Sequence, residues 1–267
     1  YSTVIQDGAE KIIDDVAEEI LSLLRENDIE LDQCVGVGVG VPGTIDRRQG
    51  KVLYSNNIRW ENVSLRERLG KIIPCPVRIA NNADCAALGE TIAGGGKDYT
   101  DLVLFTLGNG VGGGIVINGE IFEGGVMGGS EVGHMVVRNG GRLCSCGRKG
   151  CLEAYISTRA LISEVRKRCD KTLTVQEIYE SRDEDQIKEI LAEYTQILGT
   201  GIVNIVNLFR PQVILLGGML SEYIEDIIPK LTEMVKEECF GGAYGKVPQI
   251  AVARLGKEAG VIGAANL

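Results

Sequence analysis

The stretch E-V-G-H-M-V-V-R-N-G-G-R-L-C-S-C-G-R-K-G-C-L-E, residues 131–153, decides how this chain is read. It holds the single histidine of the sequence, His134, followed after nine residues by Cys144, Cys146 and Cys151. Three thiols at that spacing and one imidazole can complete a four-coordinate Cys3His zinc site. Glu131 and Glu153 bracket the cluster, which suggests a metal that shapes a polar pocket while groups beside it do the chemistry. Small core residues or disulfide partners are the plainer readings of the cysteines. Gly147 and Gly150 lie between them, however, with Arg142, Arg148 and Lys149 alongside, and this is the composition of a solvated turn. No signal peptide is visible, so the thiols are expected to stay reduced. With one ring nitrogen on the metal, His134 keeps the other for a substrate hydroxyl or a carboxylate.

Outward from the knuckle, strand and helix signals alternate. Asp7 is placed to cap an amphipathic helix over 8–26, whose stripe is Ile12, Ile13, Val16, Ile20, Leu23 and Leu24. C-V-G-V-G-V-G-V-P-G, residues 34–43, reads as an apolar strand whose alternate glycines leave one face bare for another backbone or a ligand. Strands are predicted over 77–81, 102–107 and 112–117, the last turning at Asn118-Gly119, with a helix over 83–93. Further on, helices are predicted over 158–168, 174–181, 184–207 and 221–239. A buried strand at 213–216, a last strand at 250–253 and a closing helix near 257–266 complete the pattern of an α/β protein with covered sheets.

At 267 residues the chain is long enough for two lobes. A net charge of −9 argues against nucleic acid as a partner, and no apolar run approaches a membrane span. Cys34, Cys75, Cys85, Cys169 and Cys239 are scattered, as buried free thiols of a cytoplasmic protein would be. Two glycine-rich strand ends carry chemistry. T-L-G-N-G-V-G-G-G, residues 106–114, can turn consecutive amides toward a phosphate. L-G-G-M-L-S, residues 216–221, offers a surface on which a base or ribose could lie flat.

These motifs, with V-G-V-P-G-T-I-D (39–46), G-K-V-L-Y-S-N-N-I-R-W (50–60) and N-N-A-D-C-A-A-L-G-E (81–90), resemble the ROK family of bacterial sugar kinases and sugar-responsive repressors. The glucokinase-like members are the most similar, and the resemblance extends over essentially the whole chain. It implies a two-lobed, actin-like ATPase (ribonuclease H-like) α/β fold with a structural zinc knuckle. Residues 1–98, completed by 256–267, would form a small lobe, and 99–255 a large lobe with the knuckle and the nucleotide site. The implied hexose site comprises Gly43, Asn56, Asn81, Asn82, Glu131, His134 and Glu153. ATP, with Mg2+, would place its phosphates at Gly108, Asn109 and Gly110 and its adenosine at Gly217 and Gly218, while Zn2+ sits on His134, Cys144, Cys146 and Cys151. The implied reaction is phosphoryl transfer from ATP to a hexose, glucose favoured, in a cytoplasmic homodimer. Kinases for N-acetylmannosamine, mannose, fructose or allose, and a non-catalytic sugar-sensing domain of the repressor type, are the alternatives.

The chain departs from the family pattern twice. The catalytic base of the family is an aspartate in an N-D-A-x segment, and here that position is Asn82. An amide can hydrogen-bond a sugar hydroxyl but cannot take its proton. Asp84, two positions along a helix, is expected to face elsewhere, and Asn109 stands where the family usually has threonine. Family kinases also open with a strand, a D-x-G-G-T phosphate loop and a returning strand. This chain enters its first helix within a few residues of Tyr1, so a truncated form with an exposed sheet edge is the expectation.

Overall fold

The computed structural model describes residues 8–126, 128–218, 220 and 223–267. Helix α1 (Gly8–Glu26) fills the predicted stretch and buries Ile12, Ile13 and Ala17, while its expected cap, Asp7, lies outside the described residues. Strand β1 (Val37–Val41) is shorter than its apolar run because Pro42 has no N–H for the ladder. It pairs in parallel with β5 (Val77–Asn81), from Val37 opposite Val77 to Val41 opposite Asn81. Protein, not ligand, takes the bare face of β1. A Cβ on Gly38 would stand 1.6 Å from the Ala264 carbonyl of α9 (Ala259–Ala265), and one on Gly40 would stand 3.3 Å from the Cys85 Sγ of α3 (Asn82–Ala93). The two helices also meet through glycine, since a Cβ on Gly89 or Gly263 would come within 2.1 or 1.7 Å of the facing carbonyl.

The segment 44–72, for which the sequence gives no clear periodicity, is a small antiparallel sheet and a helix: β2 (Thr44–Asp46), β3 (Lys51–Ser55), β4 (Trp60–Val63) and α2 (Leu65–Ile72). Arg66 on α2 clamps the β2–β3 turn, donating to the carbonyls of Arg47, Arg48 and Val77. Val52, Trp60, Val63, Leu65 and Leu69 bury against α1 and the β1–β5 pair.

A second sheet runs β10 (Gln249–Val252), β9 (Val213–Gly217), β6 (Leu102–Leu107), β7 (Val111–Ile117), β8 (Glu120–Ile121). The first three are parallel and the last two antiparallel. Asn118 and Gly119, at φ of 54° and 79°, make the tight turn between β7 and β8. The continuous apolar runs of β6 and β9 follow from burial on both faces. Leu102, Leu104, Val213 and Leu215 pack with Ala87 of α3. Val103, Phe105, Leu107, Ile214 and Leu216 instead join a core with the helices α4 (Glu153–Ile156), α5 (Thr158–Cys169), α6 (Val175–Glu180), α7 (Asp185–Phe209) and α8 (Ile228–Glu238). Helix α8 starts later than the predicted 221, and Pro229 sits in its first turn, where a missing N–H costs nothing. Ser221 and Glu222 lie outside the described residues.

Among the described residues no helix is long and apolar enough to cross a membrane. Cys85 and Cys239 are buried as anticipated, but Cys34, Cys75 and Cys169 are only half-buried.

Candidate functional site

The knuckle is organised by two isolated bridges, Val136 with Cys151 and Leu143 with Lys149, and by Gly147 and Gly150, both at φ 87°. Arg142 is less solvated than the composition suggests. Its guanidinium lies 4.7 Å from the Tyr155 ring centre and pairs with Glu164 at 2.7 Å, while its amide donates to the Tyr155 hydroxyl. The fold brings His134, Cys144, Cys146 and Cys151 together with all their ligand atoms within 4.8 Å of one another. Tetrahedral zinc with bonds near 2.3 Å sets its sulfurs about 3.8 Å apart. Cys146 and Cys151 Sγ are 3.7 Å apart and His134 Nδ1 is 3.6 Å from Cys144 Sγ. That spacing fits a shared metal and is far too long for a disulfide.

His134 closes a 3₁₀ turn, Val132–His134, that follows Glu131. This turn is pressed onto the start of β7, because a Cβ on Gly133 would stand 1.9 Å from the Val111 carbonyl. Beside it opens a cleft of about 600 Å³, the size of a small-molecule site. Gly43, Asn56, Asn81, Asn82, Glu131, His134 and Glu153, predicted from distant parts of the sequence, all line it. Enclosure by the walls pushes the Glu131 carboxyl up, nearby His134 opposes that shift, and Glu153 adds to it. Glu153 is held at both oxygens: Oε1 accepts from Ser145 Oγ at 2.6 Å and Oε2 from the Val111 amide at 3.0 Å.

Asn81 caps α3 through Oδ1, which accepts from the Ala83 amide, while its Nδ2 donates to the Gly43 carbonyl at 2.9 Å. It therefore shapes the wall as much as it faces the cleft. Asn82 is exposed to the cleft. Asp84 does turn away, into a small enclosed cavity behind the wall, shared with Arg47, Glu123 and Glu131. Among the described residues its buried Oδ1 has no hydrogen-bond partner. Burial pushes the Asp84 carboxyl up to about 7, Arg47 opposes the shift, and Glu131 and Glu123 add to it. Arg47 is itself ion-paired to Glu123.

The glycines of 106–114 divide by role. A Cβ on Gly113 would collide with Val132, and one on Gly114 with Ala83 and Ala87, so these serve close packing. Gly108 faces open space, and Gly108, Asn109 and Gly110 line the cleft. Within the turn Gly108 N donates to Gly110 O and Val111 N to Glu153, so at most the amides of Asn109 and Gly110 remain for an anion. Gly218 lines the cleft as well; at φ 93°, a Cβ there would stand 2.5 Å from the Leu107 carbonyl. Gly217 ends β9 against Ala253 and does not line it. Ser55, Asn57, Thr106 and Ser130 also line the cleft and were not singled out as site residues in the sequence. Asn57 could have been found from the Asn-Asn pair, had the end of β3 been recognised.

A sequence model of one protein family, described as the ROK family, matches residues 3–267. A xylose repressor of Caldicellulosiruptor bescii is 34% identical over 244 residues, with 86% of this chain aligned, and the chain spans only 61% of that repressor's length. A glucokinase of Thermotoga maritima is 30% identical, with 99% of this chain and 87% of the glucokinase aligned. Among solved structures, a ROK family glucokinase from Streptomyces griseus in complex with glucose and AMPPNP superposes with a TM-score of 0.81. It is 28% identical, over 97% of this chain and 87% of that one. The α/β architecture is therefore that of an actin-like ATPase.

Proposed function

The chain belongs to the ROK family, and on that premise we propose that it binds a hexose, glucose favoured, in a cleft built for ATP-dependent phosphoryl transfer. The observation that carries this reading is the gathering of Glu131, His134, Glu153, Asn82 and Gly43 beside the Gly108–Gly110 turn in one cleft. Sugar hydroxyls donate and accept, so carboxylates, an amide and an imidazole held in fixed positions can discriminate epimers. Zinc on His134, Cys144, Cys146 and Cys151 would be structural, fixing the imidazole ring and the segment that leads to Glu153. The glycine turn faces the phosphates of ATP, which brings Mg2+ with it, and Gly218 faces the adenosine. The same reading divides the chain into a small lobe, 1–98 with 256–267, and a large lobe, 99–255, in a cytoplasmic homodimer.

At the position of the base stands Asn82, which can hold the reacting hydroxyl but cannot take its proton. The chain should therefore bind hexose and turn it over poorly. A second reading, a sugar sensor without catalysis, draws on that same amide and on the likeness to xylose repressors. The test is calorimetric titration with a panel of hexoses, followed by assay with ATP of this chain and of Asn82→Asp. The expected result is hexose binding by both and a rise in turnover of about 10²–10⁴-fold in the variant. No hexose binding by either protein would overturn the reading. Binding without any gain in turnover would move the chain to the sensor class.

A further inference from the structure

We propose that Ser145 is a positioning residue that fixes the Glu153 carboxylate and, through it, couples the metal knuckle to the glycine turn. Ser145 lies between Cys144 and Cys146, so whatever holds those two sulfurs also fixes its backbone. Its hydroxyl donates to Glu153 Oε1 at 2.6 Å. The other carboxylate oxygen accepts from the amide of Val111, the first residue of β7 after the turn, at 3.0 Å. The carboxylate rests on the turn itself, since a Cβ on Gly110 would come within 2.7 Å of Oε2.

Cys144 Sγ also lies 3.6 Å from Oε1, but as a metal-bound thiolate it would have no proton to donate. Glu153 begins a helix of four residues that has no side-chain cap, so its long side chain is placed by the two bonds at its tip. The knuckle is thus joined to the turn through one serine and one glutamate. A flexible carboxylate facing the cleft is preset before any ligand arrives, as a precise polar site requires.

The test does not depend on the ligand. Ser145→Ala and Ser145→Thr are prepared with metal bound. Metal content, thermal midpoint, hydrogen exchange of the Val111 amide by NMR, and hexose affinity are then measured. Ser145→Ala should keep its metal and its midpoint, while Val111 exchange rises about 10-fold, the factor expected when one charge-assisted hydrogen bond is lost. Ser145→Thr, which retains the hydroxyl, should behave as wild type. Stripping the metal should accelerate Val111 exchange more in wild type than in Ser145→Ala, because in the variant the link is already cut. Unchanged Val111 exchange in Ser145→Ala, or equal acceleration in both proteins on metal removal, would overturn the proposal. Hexose affinity, which rests on the reading of the cleft given above, should fall about 10-fold in Ser145→Ala. If wild type binds no hexose, that reading falls while the exchange data still decide the role of Ser145.

Discussion

Helix α3 carries a buried carboxylate near each end, and the two are housed in opposite ways. Glu90 is fully buried and accepts three amides, from Gly95 at 2.7 Å, Arg254 at 3.1 Å and Leu255 at 2.7 Å. It ties the helix to the segment leaving β10, which then returns as α9 against α3. Asp84 sits in the first turn, where the helix dipole favours a negative charge, yet burial wins, and Oδ1 has no partner among the described residues. Glu90 is satisfied where it joins two elements of the fold, and Asp84 is not where it backs the cleft. The contrast separates a structural end of α3 from an end that serves the cleft.

The largest effect should come from Glu90→Ala. Three buried amides lose their acceptor, a loss of at least about 3 kcal/mol, and the thermal midpoint should fall by roughly 6–12 °C. Glu90→Gln keeps an acceptor and should lose less. If alanine melts with wild type, the structural half of the comparison is broken.

Asp84→Asn should do the reverse. The folded Asp84 titrates near 7, above the roughly 3.9 of an unfolded aspartate, so its favourable contribution is full below the unfolded value and is lost as pH rises to the folded one. Wild type should lose stability from about pH 4 to 7, a slope that the amide lacks. The variant should melt several degrees higher at pH 8, with a smaller gap at pH 5, in paired calorimetric scans. A gap independent of pH would show that Asp84 is paired after all.

The smallest effect is local. The cavity behind Asp84 is shared with Glu131, three residues from His134. Removal of metal by a chelator should therefore raise exchange of the Val132–His134 amides and the first turn of α3 about 10-fold. The Gly95 and Leu255 amides held by Glu90 should stay within roughly twofold. Equal loss of protection at both ends would erase the distinction.

Much of this was legible in the sequence. The runs of β6 and β9 and the stripe of α1 announce themselves because burial on both faces, or on one helical face, leaves a pattern. The knuckle does so because metal ligands need fixed spacing. The β2–β4 sheet was not legible: its strands have three to five residues, and the turns between them are polar. Glycine was ambiguous by nature. Gly38, Gly113 and Gly114 admit neighbouring residues while Gly108 is open, and nothing in the run of letters separates them. The Ser145–Glu153 bond and the reach of Asn81 to Gly43 depend on how the chain turns, which no periodicity encodes.

The seating of Ala264 on Gly38 has a consequence in time. The face of β1 is finished by α9, a helix far from it in sequence. A nascent polypeptide emerging from the ribosome can build α1 and the β2–β4 hairpins early. The β1–β5 pair, covered at Gly40 once α3 has formed, stays open at Gly38 until α9 arrives to close it.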